Sequence, residues 1–236
     1  MKLSAPVHIL KQRARDNKRA QSVPLSAALN DIAKTEGFAS WGLLQAKAKA
    51  YVPGNCQEIL EYVNPGDLVL IGARPGLGKT QLALQLLLRA RQPARPCFFF
   101  SLEYARAEIE RKLSALDDSY VPGEANLSVD VSDQISTPYI IAETTARVRP
   151  GSLIAIDYLQ LLDQQRQKPP LQAQVAALKT YAQESKSIVI CISQIDRTFD
   201  AEADQPPGSE DIRLPNPLDL TLFNKQIFVH GDSISL

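Results

Sequence analysis

The chain has 236 residues, of which 44% are hydrophobic, so it is long enough for one α/β core and a small accessory unit but not for two full-sized domains. Lys plus Arg and Asp plus Glu both number 26, and a net charge of zero excludes a general electrostatic attraction to polyanions. The cysteines are scattered, which excludes a disulfide framework, and the charged N-terminal residues exclude a signal peptide. An apolar run of roughly 20 residues, as a membrane span requires, is lacking. We therefore expect a cytoplasmic protein.

Residues 1–52 are predicted to form a helical N-terminal unit, because apolar residues such as Leu10 and Ala14 recur near helical spacing. Ser40 is the expected N-cap of a third short helix. The first helix is basic, with Lys2, Lys11, Arg13, Arg15, Lys18 and Arg19. This segment fits a surface for nucleic acid or for an acidic protein partner of residues 1–50, but an ordinary solvated surface explains it too, and both interpretations stay open.

Residues 53–236 are predicted to form one α/β domain, because apolar β-type runs alternate with helical stretches, the pattern of a mainly parallel sheet covered on both faces. The predicted strands are 68–71, 97–100, 153–156, 188–192 and 226–229, with a weaker strand at 127–131. The predicted helices are 79–91, 105–116, 138–148 and 171–185.

A candidate phosphate-binding loop follows the first predicted strand and opens into a helix. The residues that would hold the nucleotide are Ala73, Arg74, Pro75, Gly76, Leu77, Gly78, Lys79, Thr80 and Gln81. Gly76 and Gly78 permit the tight curl that turns successive backbone N–H groups toward one anion, and the helix N-terminus adds its positive dipole end. Lys79 would reach the β- and γ-phosphates, and the Thr80 hydroxyl would bind Mg²⁺. Ala73 stands where the strict pattern has Gly, since Gly72 lies one residue too early.

Three polar residues follow apolar strands, at the edge where parallel sheets bind ligands. Asp157 is predicted to help hold Mg²⁺, with capping of the next turn as the alternative. Glu103 is predicted to orient or deprotonate the attacking water, with stabilisation of the following helix as the alternative. Gln194 would sense the γ-phosphate, because an amide can donate to a phosphate oxygen while it holds the next loop.

Four separated segments together resemble motifs of the hexameric replicative DNA helicases of bacteria and phages, the DnaB-like family within the RecA-like ATPases. They contain Ala73-Arg74-Pro75 with Gly78-Lys79-Thr80, Phe99-Phe100-Ser101-Leu102-Glu103, Ile156-Asp157-Tyr158-Leu159-Gln160-Leu161, and Ser193-Gln194 with Arg197. The resemblance implies a RecA-like P-loop NTPase core that uses ATP and Mg²⁺, with Glu103, Lys79 and Gln194 as catalytic residues. It accounts for Ala73 as that family's loop variant, and it implies a role in DNA replication, recombination or mobile-element maintenance.

The chain is expected to be a shortened and divergent relative, because it departs from that family where DNA-contacting loops would lie. Residues 199–211 are acidic and proline-rich, which would repel a phosphate backbone. Lys225 or Arg213 are candidate substitutes for the arginine that reaches a neighbouring subunit. The basic cluster 164–168 fits a DNA contact and an exposed turn equally well. Three functions therefore stay open. The first is a DNA-dependent motor, with single-stranded DNA as partner and a homo-oligomeric, hexameric assembly. The others are a nucleotide-gated interaction module and an accessory ATPase without unwinding activity.

Overall fold

The computed structural model describes residues 7–21, 23–49, 55–91, 95–162, 168–196, 198–199, 207–214, 216–230 and 233–235. The chain divides into two compact units, Met1–Pro53 and Gly54–Leu236. None of the helices in these described ranges combines the length and the apolar character that a membrane span requires.

Three helices make up the described part of the N-terminal unit: α1 (Val7–Gln21), α2 (Leu25–Thr35) and α3 (Trp41–Lys49). Their small core contains Leu10, Ala33, Trp41 and Leu44. Two hydrogen bonds organise the start of α3, because Asn30 Oδ1 accepts from the Trp41 N–H at 2.9 Å and Ser40 Oγ accepts from the Leu43 N–H at 3.3 Å. Ser40 thus satisfies a backbone donor of the first turn, as predicted for an N-cap.

The core unit is built on one seven-stranded sheet in the order β3-β2-β4-β5-β1-β6-β7. Its strands are β1 (Leu68–Ala73), β2 (Cys97–Ser101), β3 (Leu127–Asp130), β4 (Leu153–Asp157), β5 (Ile188–Gln194), β6 (Lys225–His230) and β7 (Ser233–Ser235). Neighbouring strands run parallel, except that β6 and β7 are antiparallel. The mainly parallel sheet and the six predicted strands are confirmed, and β7 is additional to the prediction.

Helices cover both faces of the sheet. They are α4 (Cys56–Tyr62), α5 (Lys79–Ala90), α6 (Arg106–Leu116), α7 (Thr137–Thr145) and α8 (Leu171–Ser185). One face packs against α4, α5 and α6 through Ile59, Leu84 and Ile109, whereas the other packs against α7 and α8 through Ile140 and Val175. Every residue of β1, β2 and β4 is buried, as a sheet covered on both faces requires. The prediction missed α4.

The predicted helix 138–148 is wrong at its C-terminal end, since α7 spans Thr137–Thr145. The hydroxyls of Thr144 and Thr145 donate to the carbonyl oxygens of Ile140 and Ile141 at 2.7 and 2.6 Å, inside the last turn. Pro150 follows shortly afterwards and disfavours helical geometry in the residue before it. The apolar pattern continues beyond the residues that can stay helical.

Gly72 has a packing role within β1. A Cβ atom at this position would lie 2.8 Å from Cδ1 of Phe228 on the neighbouring strand β6, which is closer than side-chain atoms approach. The Phe228 ring therefore occupies the space above Gly72. The glycine that lies one residue too early for the phosphate-loop pattern is explained by the sheet and not by the loop.

Candidate functional site

The carboxyl ends of four parallel strands bring the predicted site residues together. Ser101 at the end of β2 pairs with Asp157 at the end of β4, and Ala73 at the end of β1 pairs with Gln194 at the end of β5. The loop between β1 and α5 opens beside them. The residues predicted separately from four segments thus share one edge of the sheet.

The loop after β1 has the backbone geometry that two glycines allow. Gly76 has φ 82° and Gly78 has φ 75°, both in the left-handed region that L side chains rarely adopt. Gly78 is the N-cap of α5, so the free N–H groups of the first helical turn face the loop. Pro75, Gly76 and Gly78 are exposed, whereas Lys79 and Thr80, which begin α5, are buried. This arrangement suits an anion seated over the helix N-terminus.

Asp157 and Thr80 meet across the end of the sheet. The Thr80 hydroxyl donates to Asp157 Oδ2 at 2.8 Å, whereas Asp157 Oδ1 is buried without a hydrogen-bond partner among the described residues. Burial raises the pKa of the Asp157 carboxyl to about 6, opposed by the Thr80 hydrogen bond and reinforced by the negative charge of Glu103. The capping alternative for Asp157 is wrong, since its side chain contacts Thr80 and Tyr158 is the N-cap of the next turn.

A buried carboxylate with one free oxygen, beside a hydroxyl, is the donor set that a hard cation such as Mg²⁺ takes from a protein that also binds phosphates. Thr80 and Asp157 therefore fit the predicted metal position. The fit rests on the free Asp157 oxygen, because leaving such an atom unsatisfied is costly unless a ligand completes it.

Glu103 lies on the segment between β2 and α6. The Ser101 hydroxyl oxygen accepts from the backbone N–H groups of Glu103 at 3.3 Å and Tyr104 at 3.1 Å, which holds this segment against the strand end. The Glu103 side chain is exposed, and its charge raises the pKa values of Asp157 and Tyr104. The acidic residue in the first turn of α6 is Glu108, so the helix-stabilising alternative for Glu103 gains no support.

Gln194 is half-buried at the end of β5, directly beside the start of the phosphate loop. Its backbone carbonyl accepts from the Arg213 N–H at 2.8 Å, and the next residue, Ile195, donates to the Ala73 carbonyl at 3.0 Å. A displacement of Gln194 would therefore reach the segment that contains Arg213.

Gln160 joins the same network, although the sequence pattern singled out no role for it. Its Nε2 donates to Ser193 Oγ at 2.8 Å and to the Arg213 carbonyl at 2.6 Å. The side chain is buried, and Oε1 has no partner among the described residues. An amide within the apolar run 159–162 is the signal that could have identified it, because a buried amide needs partners.

The two candidate trans-acting cations differ in their surroundings. The Lys225 ammonium donates to the Tyr62 carbonyl, lies 3.5 Å from the centre of the Tyr62 ring and lies 3.8 Å from Asp67 Oδ2. Burial lowers the pKa of Lys225. Arg213 is exposed, with its backbone tied to Gln194 and Gln160. Lys225 is thus held by contacts within its own chain, whereas Arg213 is presented at the edge of the site.

Other predicted features fall partly or wholly outside the described residues. Arg197, the stretch 200–206 and residues 164–167 of the basic cluster are among them. Lys168, the last member of that cluster, donates to the carbonyls of Asp133 and Ile135, each at 2.8 Å. Its ammonium group therefore binds the residues just before α8 to the turn that follows β3.

A glycine-containing loop between a parallel strand and a helix N-terminus, faced by a buried carboxylate on a nearby strand, defines a P-loop nucleotide-binding protein. The chain belongs to the DnaB-like helicase C terminal domain family, whose model matches residues 55–122 and 121–216. The resemblance drawn from the four motifs is confirmed.

Curated relatives of this chain carry the name Replicative DNA helicase DnaB. The protein from Leifsonia xyli subsp. xyli is 31% identical over 196 residues, which cover 69% of this chain and 43% of the relative. The protein from Pasteurella multocida is 29% identical over 185 residues (64% and 39%), and that from Haemophilus influenzae is 27% identical over 209 residues (72% and 44%). The chain therefore spans less than half the length of these relatives.

Two solved structures illustrate the similarity in fold. The first is an ATPase domain, which matches with a TM-score of 0.58 and 21% identity, covering 80% of this chain and 81% of that domain. The second is a DnaB-like replicative helicase, described with its interactions with primase, which matches with a TM-score of 0.57 and 21% identity, covering 94% and 64%. These matches confirm the predicted RecA-like α/β fold.

Proposed function

We propose that the chain binds Mg-ATP and hydrolyses it, as a replicative-helicase-like ATPase. The contact between the Thr80 hydroxyl and the Asp157 carboxylate carries this proposal, because it joins two residues 77 positions apart and leaves one carboxylate oxygen free for a cation. Structural roles alone do not account for a buried carboxylate with a free oxygen beside an exposed glycine loop.

Each site residue has a distinct role in the proposed reaction. The loop from Ala73 to Gln81 binds the triphosphate, and Lys79 contacts the β- and γ-phosphates. Thr80 and Asp157 hold Mg²⁺, which when bound neutralises charge on the phosphate oxygens. Glu103 orients and deprotonates the attacking water. Gln194 donates to the γ-phosphate and transmits its loss to the Arg213 segment through its backbone hydrogen bond.

The relatives named as replicative DNA helicases extend the proposal to a biological setting. The chain acts in the cytoplasm, in DNA replication, recombination or mobile-element maintenance. It forms a hexameric homo-oligomer that acts on single-stranded DNA. The segments 1–52 and 53–236 are its two functional parts, and residues 1–50 also offer a surface to a protein partner.

Turnover of ATP in the presence of Mg²⁺ tests the proposal. Lys79→Ala should abolish nucleotide binding, whereas Glu103→Gln should keep binding and lose hydrolysis by about 100-fold or more, the range expected for removal of a general base. Lys179→Ala and Glu108→Gln are matched controls that should hydrolyse ATP like the parent. A parent protein that binds no adenine or guanine nucleotide with Mg²⁺ contradicts the proposal, and normal hydrolysis by Glu103→Gln overturns its assigned role.

A nucleotide-gated interaction module without unwinding activity is the alternative. The acidic composition of the segment 199–211 favours it, because negative charges repel a phosphate backbone. These acidic residues are Asp200, Glu202, Asp204, Glu210 and Asp211. Turnover with and without single-stranded DNA separates the two functions. A motor is stimulated by DNA, whereas the module hydrolyses ATP at the same rate in both conditions.

A further inference from the structure

The two units of the chain carry opposite net charges. Residues 1–53 contain nine Lys or Arg and three Asp or Glu, a net charge of +6, so residues 54–236 carry −6 in a chain whose total is zero. The positive charge is therefore concentrated in a small part of the chain. Such asymmetry is typical of proteins whose basic segment binds a polyanion.

Four exposed cations lie along one side of α1. This basic stripe consists of Lys11, Arg15, Lys18 and Arg19. With 3.6 residues per turn, the four positions fall within an arc of about 100° and span about 12 Å along the helix axis. Leu10 and Ala14, on a different side of α1, are buried. Packing of α1 within its unit thus leaves the stripe facing solvent.

Carboxylates do not neutralise the basic stripe within the described residues. Asp16 projects outside the arc, where it accepts a hydrogen bond from Gln12 Nε2 at 3.1 Å. The ion pair described in this unit, Lys34 with Asp31 at 3.5 Å, is on α2. Positions 11, 15 and 19 instead place like charges four residues apart, which destabilises an isolated helix.

Helix α6 shows how the same chain arranges an ordinary solvated helix surface. Arg106 lies 3.7 Å from Glu110, and Lys112 lies 3.6 Å from Glu108, so these two cations both have a carboxylate four residues away. This alternation stabilises a helix by itself. Because the basic stripe lacks it, binding of an anion from outside the unit would relieve the repulsion among its cations.

We propose that the basic stripe binds the phosphate backbone of a nucleic acid, at a site separate from the nucleotide-binding edge of the core. A length of about 12 Å spans three to four phosphates of one strand of a duplex, since successive phosphates rise by about 3.4 Å along the DNA axis. Arginine and lysine both donate to phosphate oxygens, and contacts to the backbone do not depend on base sequence. The stripe therefore attaches the chain to nucleic acid through its basic unit, while the negatively charged core contributes no general attraction.

Fluorescence anisotropy with short single-stranded and duplex DNA, in a series of salt concentrations, tests the proposal on the full chain. The variant K11A/R15A/K18A/R19A should bind about 10-fold or more weakly, and its plot of log affinity against log salt should flatten by about 3, since each lost phosphate contact removes about 0.7 to 0.9 of slope. The alanines favour helix, so circular dichroism should show unchanged helicity.

A matched control removes the same charge elsewhere. The variant K34A/R89A/R111A/K179A should bind DNA within about 3-fold of the parent if the stripe, and not net charge, binds the backbone. The conservative variant K11R/R15K/K18R/R19K should also retain binding. Equal losses in the stripe variant and the matched control overturn the proposal, as does a parent that binds neither probe at low salt. If the stripe variant loses self-association but keeps DNA binding, the acidic core of another copy is the partner and the proposal is wrong.

ATP hydrolysis without DNA distinguishes this proposal from the proposed function. The stripe variant should hydrolyse ATP like the parent, because α1 belongs to the N-terminal unit and the site residues to the core. Lys79→Ala should conversely lose nucleotide binding and keep the salt-dependent affinity that the stripe provides. Nucleic-acid binding by the stripe and nucleotide hydrolysis by the core can therefore be tested, and can fail, independently.

Discussion

The Asp157 carboxylate destabilises the folded protein when no cation is bound, because burial removes its hydration and Thr80 supplies hydrogen bonding to one oxygen only. A rise in its pKa from 3.8 to about 6 corresponds to a cost of about 3 kcal/mol for the ionised form. The folded state binds the proton more tightly than the unfolded chain. The contribution of Asp157 to stability is therefore greatest below about pH 4 and declines as the pH rises through about 6.

Asp157→Asn should raise the thermal stability of the nucleotide-free protein at about pH 8, where the parent carries the buried charge, and should change it little at about pH 4 and below, where the buried carboxyl is protonated. The gain at the higher pH should reach about 1 to 3 kcal/mol, and Mg-dependent nucleotide binding should fall in the same variant. Melting curves of the two proteins across this pH range check the prediction. An equal effect of the substitution at both pH values would contradict the raised pKa.

Gln160 is expected to position Ser193 and the Arg213 backbone, since its amide donates to both. Gln160→Leu should lower the rate of hydrolysis at saturating ATP while nucleotide affinity stays close to that of the parent. It should also destabilise the protein by about 1 to 3 kcal/mol, because buried acceptors lose their donor. Steady-state kinetics separate these effects from simple unfolding.

Gln174→Leu is the matched control for Gln160→Leu. Gln174 is buried too, and its Nε2 donates to the carbonyls of Leu162 and Pro169 at 2.9 and 2.8 Å. The Gln174→Leu variant should lose a similar amount of stability, but its folded fraction should retain DNA-independent hydrolysis of ATP. Equal loss of turnover in both variants would assign Gln160 a purely structural role.

Sequence reasoning selected Thr80, Asp157 and Glu103 as candidates because each has a chemical type that phosphate and metal binding requires, at a recognisable place after a strand. It missed Gln160, whose role depends on a carbonyl 53 residues further along the chain. A one-dimensional pattern does not contain that contact. Lys225 and Arg213 were also equivalent, from the sequence, as candidates for the cation that reaches a neighbouring subunit. The contacts of Lys225 with Tyr62 and Asp67 distinguish them.

At the level of elements, the phosphate loop depends on backbone conformation more than on side-chain space. A Cβ at Gly76 or Gly78 would meet nothing within 4 Å, so the positive φ angles are the constraint there. Gly72 has the opposite requirement, since its φ is ordinary and Phe228 occupies the space. The three glycines of this short segment therefore serve two different purposes.

Gly78→Ala should weaken nucleotide binding, because the residue that caps α5 would have to keep φ 75° at a cost of about 1 to 2 kcal/mol or move the N–H groups that face the phosphates. Isothermal titration with ATP and Mg²⁺ should show a loss of about 5- to 30-fold, which corresponds to that energy. Gly42→Ala is the control, because Gly42 lies in α3 with only Ser40 Oγ near its Cβ position, at 3.9 Å. It should leave affinity unchanged, and weakened binding in both variants would contradict the backbone argument.

The strands could be predicted because buried parallel strands are continuous apolar runs, as the uniformly buried β1, β2 and β4 illustrate. Short elements escaped prediction for a physical reason. Helix α4 has seven residues and a polar surface, so its apolar pattern is too short to read. Strand β7 has three residues and pairs with β6 at the edge of the described sheet. The end of α7 was missed because turn formation at Ala146 and Arg147 overrides the apolar pattern.

At the scale of the whole molecule, the proposed oligomer explains why an exposed arginine is held at the edge of an open site. The backbone of Arg213 is fixed on both sides, by Gln194 and by Gln160, whereas its side chain is exposed. A fixed backbone with an exposed guanidinium suits contact with a neighbouring copy. Lys225, paired within its own chain, does not have this freedom.

Arg213→Ala should therefore lose hydrolysis while it retains nucleotide binding, as Glu103→Gln should, and a mixture of the two inactive proteins should regain activity. In a randomly mixed ring, about a quarter of the interfaces combine an intact Glu103 with an intact Arg213 from the neighbour, so turnover should recover to about a quarter of the parent rate. Arginine acting within its own subunit predicts no recovery, because each copy then contains a defect. Sedimentation with ATP should show that the mixture assembles, and a strict monomer under those conditions would contradict the shared site.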